Sequence, residues 1–294
     1  MKQKRSLGES SFDVVNTILL LFIGIITFYP FYYMFIYSIS NSDLAAGGLS
    51  IYPRGLTLLN YKTVFRIEGI FHTAFISFAR TVVGTILTLL GCSFVAYGLS
   101  KKELPCRRLM NRLLLMTMYI SSGLIPWYIT MKAFGLKNNF LLYVLPGTVI
   151  AYYVILMRTY FEQLPASVEE SAMVDGANYF TILFRLVLPM SLPILATIAI
   201  FTAVSQWNSW TDNLYLCSNP KLKTLQLMLY NFLQSRSENI YSSQKIVDTN
   251  QAASITPTSI RMTITMVVVL PIFLVYPFLQ KYFVEGILIG AVKG

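Results

Sequence analysis

The sequence predicts an all-α integral membrane protein with six transmembrane helices. Three observations carry that reading. Of the 294 residues, 55% are hydrophobic and 12% charged, about half the charged fraction of a soluble domain. The mean hydropathy is +0.59, and a water-soluble fold of this length has too little interior to hide that much apolar surface. Six apolar stretches are each long enough for a bilayer core about 30 Å thick, which takes roughly 20 residues of helix.

The stretches run approximately over Phe12–Ile39, Ile70–Leu99, Leu109–Met131, Phe140–Phe161, Phe184–Trp207 and Ile260–Phe283. The first follows Lys2, Lys4 and Arg5, as a signal peptide would. It is too long for one and ends in no small-residue cleavage site, so it reads as a retained span. Lys101, Lys102, Arg107 and Arg108 crowd the loop after the second span, whereas the loop after the third carries only Lys137, with Lys132 at the helix end. Lys and Arg near span ends stay on the cytoplasmic side, which places both termini inside. The chain then divides into an N-terminus over 1–11, a six-span domain over 12–283 and a C-terminal tail over 284–294.

The net charge of +10 follows this patterning and does not point to nucleic acid. Cys92, Cys106 and Cys217 lack metal-ligand spacing and imply no disulfide framework, and His72, the single histidine, reads as an interfacial residue. No Walker A phosphate loop, HExxH, GxSxG or CxxC occurs. No cofactor is expected and an enzyme is not, because no paired catalytic constellation exists.

Between the spans, residues 40–69 hold turn signals such as Ala45-Ala46-Gly47-Gly48 and Pro53-Arg54-Gly55. The outer loop over 208–259 is much longer than an ordinary connection. Within it Leu222, Leu225, Leu229 and Phe232 recur at helical spacing and predict a short amphipathic helix.

The cytoplasmic segment over 164–183 is the most informative. Pro165 stops the preceding helix, Ser167 and Glu170 form a capping-box pattern, and Gly176 suits a left-handed helix end. Ser171, Ala172 and Asp175 are expected on one face, where small side chains let another protein approach. Spacing alone leaves two readings open: a docking helix, or a simple re-entry of the chain into the bilayer.

Glu170-Ser171-Ala172, then Asp175-Gly176-Ala177 and Leu188-Pro189, resembles the EAA signature of binding-protein-dependent ATP-binding-cassette importers, with Ser171 in place of the usual alanine. The ending Gln280-KYFVEGILIGAVKG is similar to that of the smaller permease subunit of maltose-type carbohydrate importers. The resemblance covers roughly Thr81 to Gly294. It implies a type I importer permease fold in the bacterial cell membrane, with a cytoplasmic coupling helix in which Glu170, Ser171, Ala172, Asp175, Gly176 and Ala177 meet an ATPase. It also implies that the tail residues Gly290, Ala291, Val292, Lys293 and Gly294 reach the ATPase dimer. The glycines of that tail suit an extended chain in a narrow space. The implied partners are a second homologous permease, two copies of a cytoplasmic ATP-binding subunit, an extracytoplasmic solute-binding protein and a sugar substrate. Some members of the family move glycerol phosphate or other polyols.

A self-contained secondary transporter is the rival reading, and it needs intramembrane ionisable groups for ion coupling. Only Arg80 lies well inside a span. It is expected to face the interior, lining the path or pairing there, and an acidic saccharide follows if it lines the path. Groups suited to sugar recognition lie near Tyr119, Ser121, Ser122, Trp127, Tyr128, Gln206, Trp207, Asn208 and Trp210. Aromatics at span ends are equally the ordinary interfacial belt.

Overall fold

The computed structural model describes residues 7–48, 51–120, 122–234 and 255–291. Those residues form helices and connecting loops, grouped in two compact units: one of residues 1–70 and 232–269, the other of 71–231 and 270–294.

The first unit contains α1 (Leu7–Ser38), α2 (Ser42–Ala45), α3 (Leu59–Phe65) and the start of the last helix, α14 (Pro257–Ala291). Its connecting chain is held by polar side chains, with Asn60 making the most contacts among those described. Asn60, buried within α3, donates to the carbonyls of Ser38 and Ser40 and accepts from the Ser42 hydroxyl. Gly48 and Gly55 supply the positive φ angles of the turns expected there. α1 turns apolar side chains from Phe12 to Phe28 outward, which is what lipid as solvent allows.

The second unit holds α4 (Ile70–Ser100), α5 (Arg107–Tyr119), α6 (Leu124–Ala133), α7 (Leu141–Val144), α8 (Ala151–Phe161) and α9 (Ala166–Val174). It continues through α10 (Tyr179–Met190), α11 (Leu192–Asn208), α12 (Thr211–Leu216) and most of α13 (Leu225–Gln234). Its main core packs Cys92, Ala96 and Tyr97 of α4 against Val154 and Met157 of α8, Ile182 and Val187 of α10, and Ile198 of α11.

Three of the six predicted spans are uninterrupted helices long and apolar enough to cross a membrane. The other three are broken. The third divides into α5 and α6. The fifth bends by 84° between α10 and α11. Pro193 lacks the N–H that would bond the carbonyl four residues back, at Pro189, and a π-helical turn over Leu183–Val187 precedes the bend.

The fourth span departs most from expectation, as α7 and α8 with non-helical chain over 145–150 between them. Pro146 and Gly147 break the helix, and α4 satisfies the freed backbone groups. Thr88 donates to the Gly147 carbonyl at 2.7 Å, and the Ile150 N–H reaches the Cys92 sulfur at 3.4 Å. Irregular backbone survives at membrane depth only when protein supplies such partners. Gly91 permits the approach: a Cβ there would stand 2.6 Å from both the Thr148 side chain and its carbonyl oxygen.

The amphipathic helix of the long loop is α13, with Leu225, Leu229 and Phe232 buried; Leu222 falls just before it in a 3-10 turn. At the C-terminus, α14 stays helical through Ala291. The extended conformation expected from Gly286 and Gly290 is therefore not adopted over that stretch. No proline follows Pro277, and two helical glycines cost about 1 kcal/mol each, too little to end a helix. Val292, Lys293 and Gly294 lie outside the described residues.

Gly91→Ala should lower the thermal midpoint of the protein in mild detergent. Gly98→Ala, where a Cβ meets nothing within 4 Å, should raise it slightly or leave it unchanged.

Candidate transport path and coupling segment

Arg80 is 3% exposed in α4. An unpaired cation at such depth is costly, and the fold answers with several acceptors. Its guanidinium donates to Asp212 Oδ1 at 3.1 Å and Oδ2 at 2.5 Å, to Gln206 Oε1 at 3.0 Å and to the Ser209 carbonyl at 3.2 Å. The Tyr143 ring lies 4.6 Å from the guanidinium carbon. Gly84 makes room for Gln206, since a Cβ there would come within 2.7 Å of the amide nitrogen.

The network extends one residue further. Asn213 donates to the Tyr143 hydroxyl and accepts from the Thr224 N–H, while Tyr143 donates to the Leu222 carbonyl. The Leu225 N–H then reaches Ser77 on α4. Five segments thereby converge on one polar knot.

Asp212 is the residue sequence reasoning missed. It falls in the predicted outer loop, but α12 folds it inward. One signal was available: a buried arginine needs a counter-ion, and Asp212 closely follows the end of a predicted span.

Arg80, Trp127 and Gln206, three of the expected path residues, line one cavity of about 160 Å³ with Tyr143, Thr202 and Ser205. Tyr119, Trp207 and Asn208 do not line it. Tyr119 and Asn208 are exposed, and Trp210 stacks on Tyr230 with ring centroids 4.0 Å apart. Ligand pockets measure about 300–1,000 Å³, so this cavity is too small for a whole saccharide site. Arg80 pairs within the chain, so its charge is neutralised before any solute arrives.

In the coupling segment, α9 begins after Pro165, and Pro165 rather than Ser167 is the N-cap, with no side-chain capping bond. The capping box expected of Ser167 and Glu170 does not form. Proline presets φ near the helical value and breaks the preceding helix, so the N-cap lies two residues before the serine and the new helix starts at Ala166.

The C-terminal end is as expected. Gly176 has φ +82°, its N–H reaches the Met173 carbonyl, and the Ala177 N–H reaches Ala172. These are the two bonds of a Schellman motif. The shared face is only partly right: Ser171 and Asp175 are exposed, whereas Ala172 packs against the main core. Val174, 88% exposed, completes the outward face beside Met173.

With the broken spans, the buried ion pair and this exposed helix in view, comparison with known proteins is decisive. The family described as "Binding-protein-dependent transport system inner membrane component" matches residues 11–289. The chain belongs to this family. It is thus a membrane component of a binding-protein-dependent transport system, with the fold of ATP-binding-cassette importer permeases.

Protein LplC of Bacillus subtilis is 35% identical to this permease over 286 residues, covering 96% of this chain and 95% of its own. The polygalacturonan/rhamnogalacturonan transport system permease protein YtcP of the same organism is 34% identical, covering 96% and 98%. A solved structure of a bacterial ABC transporter involved in import of the acidic polysaccharide alginate contains a chain 29% identical. It covers 96% of this permease and 100% of that chain, with a TM-score of 0.86.

Asp212→Leu alone should destabilise the permease by about 3–5 kcal/mol, because it strands a buried charge, whereas Arg80→Met with Asp212→Leu should recover most of that loss. Thermal unfolding of both variants in detergent measures it.

Proposed function

We propose that this permease forms, with a second homologous permease, the translocation path of an ATP-driven saccharide importer whose solute is an acidic oligosaccharide. The observation that carries the ATP-driven part is α9. It is a short helix closed by a Schellman motif, with Glu170, Ser171, Val174 and Asp175 turned away from the chain's own core. Such an outward face suits a groove on a cytoplasmic ATPase subunit, two copies of which would power the importer. The saccharide part rests on the polygalacturonan and alginate systems to which the chain is similar.

The Lys and Arg bias supports both termini on the cytoplasmic side, with the 208–259 loop facing an extracytoplasmic solute-binding protein. ATP-driven closure of the ATPase dimer then moves α9 and switches access between the two membrane faces. A solute with equal affinity for both states drives nothing, so ATP supplies the work. The tail over Gly290–Gly294 is proposed to contact the ATPase dimer. Pairing of Arg80 with Asp212 argues against Arg80 as an ion-coupling group and hence against a self-contained secondary transporter. It equally removes Arg80 as the group that recognises an acidic solute.

Purification of the tagged permease from its own cells should recover a second permease and an ATP-binding subunit; reproducible recovery of the chain alone would defeat the proposal. Uptake of trigalacturonate should exceed that of maltotriose in proteoliposomes holding the whole complex and its binding protein. Arg80→Gln should depress uptake of both in proportion to lost folded protein, and a selective loss of trigalacturonate would restore Arg80 as a solute ligand. Asp175→Lys or Gly176→Val should abolish uptake with insertion intact. Deletion of Ala291–Gly294 should reduce ATPase stimulation, read as phosphate release.

A further inference from the structure

Two adjacent glutamates on α9 differ in surroundings. Glu170 is exposed, whereas Glu169 turns inward and forms an ion pair with Lys101, just beyond the C-terminal end of α4. The Glu169 side chain is 15% exposed and that of Lys101 20%. The Tyr97 hydroxyl donates to the same carboxylate at 3.4 Å, and the Lys101 ammonium lies 4.3 Å from the Tyr97 ring centroid.

Seven residues before Glu169, Glu162 pairs with Arg107 at 2.5 Å, while the Arg107 Nε donates to the Leu99 carbonyl at 2.7 Å. Arg158 supports Glu162 from 3.4 Å and also donates to Asn111 on α5. The carboxylate after Pro165 is thus bound to the chain leaving α4, and the one before it to the start of α5, itself anchored to the end of α4 through the Leu99 carbonyl.

We propose that Lys101–Glu169 and Arg107–Glu162 form a transmission clamp, in which Lys101 and Glu169 are positioning residues that make α9 and the end of α4 move as one body. The inference rests on the importer reading above. An isolated exposed ion pair contributes little. Here two pairs converge with a cation–π contact and a backbone anchor, and they hold the N-terminal side of the segment on which ATPase motion would act. Without the clamp, α9 is joined to the rest of the chain chiefly through the short connections at its ends and the packing of Ala172 and Ala177. It would then shift on its own when the ATPase closes, and hydrolysis would proceed without a matching movement of α4. Lys101 therefore serves two roles at one position: its charge fits the positive-inside bias and its ammonium fixes α9.

The test uses the complete complex with its binding protein in proteoliposomes, with trigalacturonate and an alginate trisaccharide as probes. Lys101→Met and Glu169→Gln should each retain assembly and basal ATP hydrolysis. The number of probe molecules imported per ATP should fall about fivefold or more, the lower end of ordinary coupling energies. The charge-exchanged pair Lys101→Glu with Glu169→Lys should restore the ratio at least in part. A purely structural role would lower uptake and hydrolysis in parallel, and an unchanged ratio in both single variants overturns the clamp. A wild-type complex that lacks an ATPase overturns the importer reading and the clamp with it.

Discussion

A guanidinium sealed inside a membrane protein must meet its counter-charge inside the same fold, and Arg80 does so through Asp212. The pair is bidentate, with Gln206 and the Ser209 carbonyl also accepting from the guanidinium. To hold those acceptors, α11 must end beside α4, α12 must turn back into the structure, and Gly84 must leave room for the Gln206 side chain. Tyr143 then ties α7 to the same point through its ring and hydroxyl. The geometry around this cavity follows from neutralising one charge, because breaking such a pair leaves an uncompensated ion at low dielectric.

The broken fourth span obeys the same constraint with backbone groups in place of a side chain. Pro146 and Gly147 end α7, and Thr88 and Cys92 answer for groups the helix no longer satisfies. Non-helical backbone belongs where protein buries it or where it lines a cavity. Pro146, Gly147 and Ile150 do border the cavity shared by Arg80, Trp127 and Gln206. The partners of the broken backbone and the lining of this cavity are thus parts of one arrangement along α4.

At the other end of α4 the polar contacts serve a different purpose. The Lys101, Arg107, Glu162 and Glu169 groups are part-exposed and individually weak, but they tie α9 to the end of α4 and the start of α5 to the exit of α8. The outward face of α9 is small and bears Val174 and Asp175, suited to a partner of complementary shape. The different surroundings of Glu169 and Glu170 are a consequence of helical geometry: neighbours lie about 100° apart.

The sequence by itself determined that the chain is helical and lies in lipid, because composition and apolar run length are local and survive any rearrangement of the helices. It also determined the left-handed close of α9 at Gly176 and the amphipathic helix of Leu225, Leu229 and Phe232, both set by residues a few positions apart. The EAA-like residues, for the same reason, were legible as a signature. The start of α9 was misread because proline and a capping box compete over two residues, and the backbone restriction prevailed. Ala172 was misplaced because packing against the core, not spacing, chose its face. Only the tertiary structure decided that Arg80 meets Asp212, separated by more than a hundred residues, and that the fourth span breaks over α4. Both depend on which surfaces meet in three dimensions, where an unpaired charge or an unsatisfied carbonyl in lipid is too costly to leave.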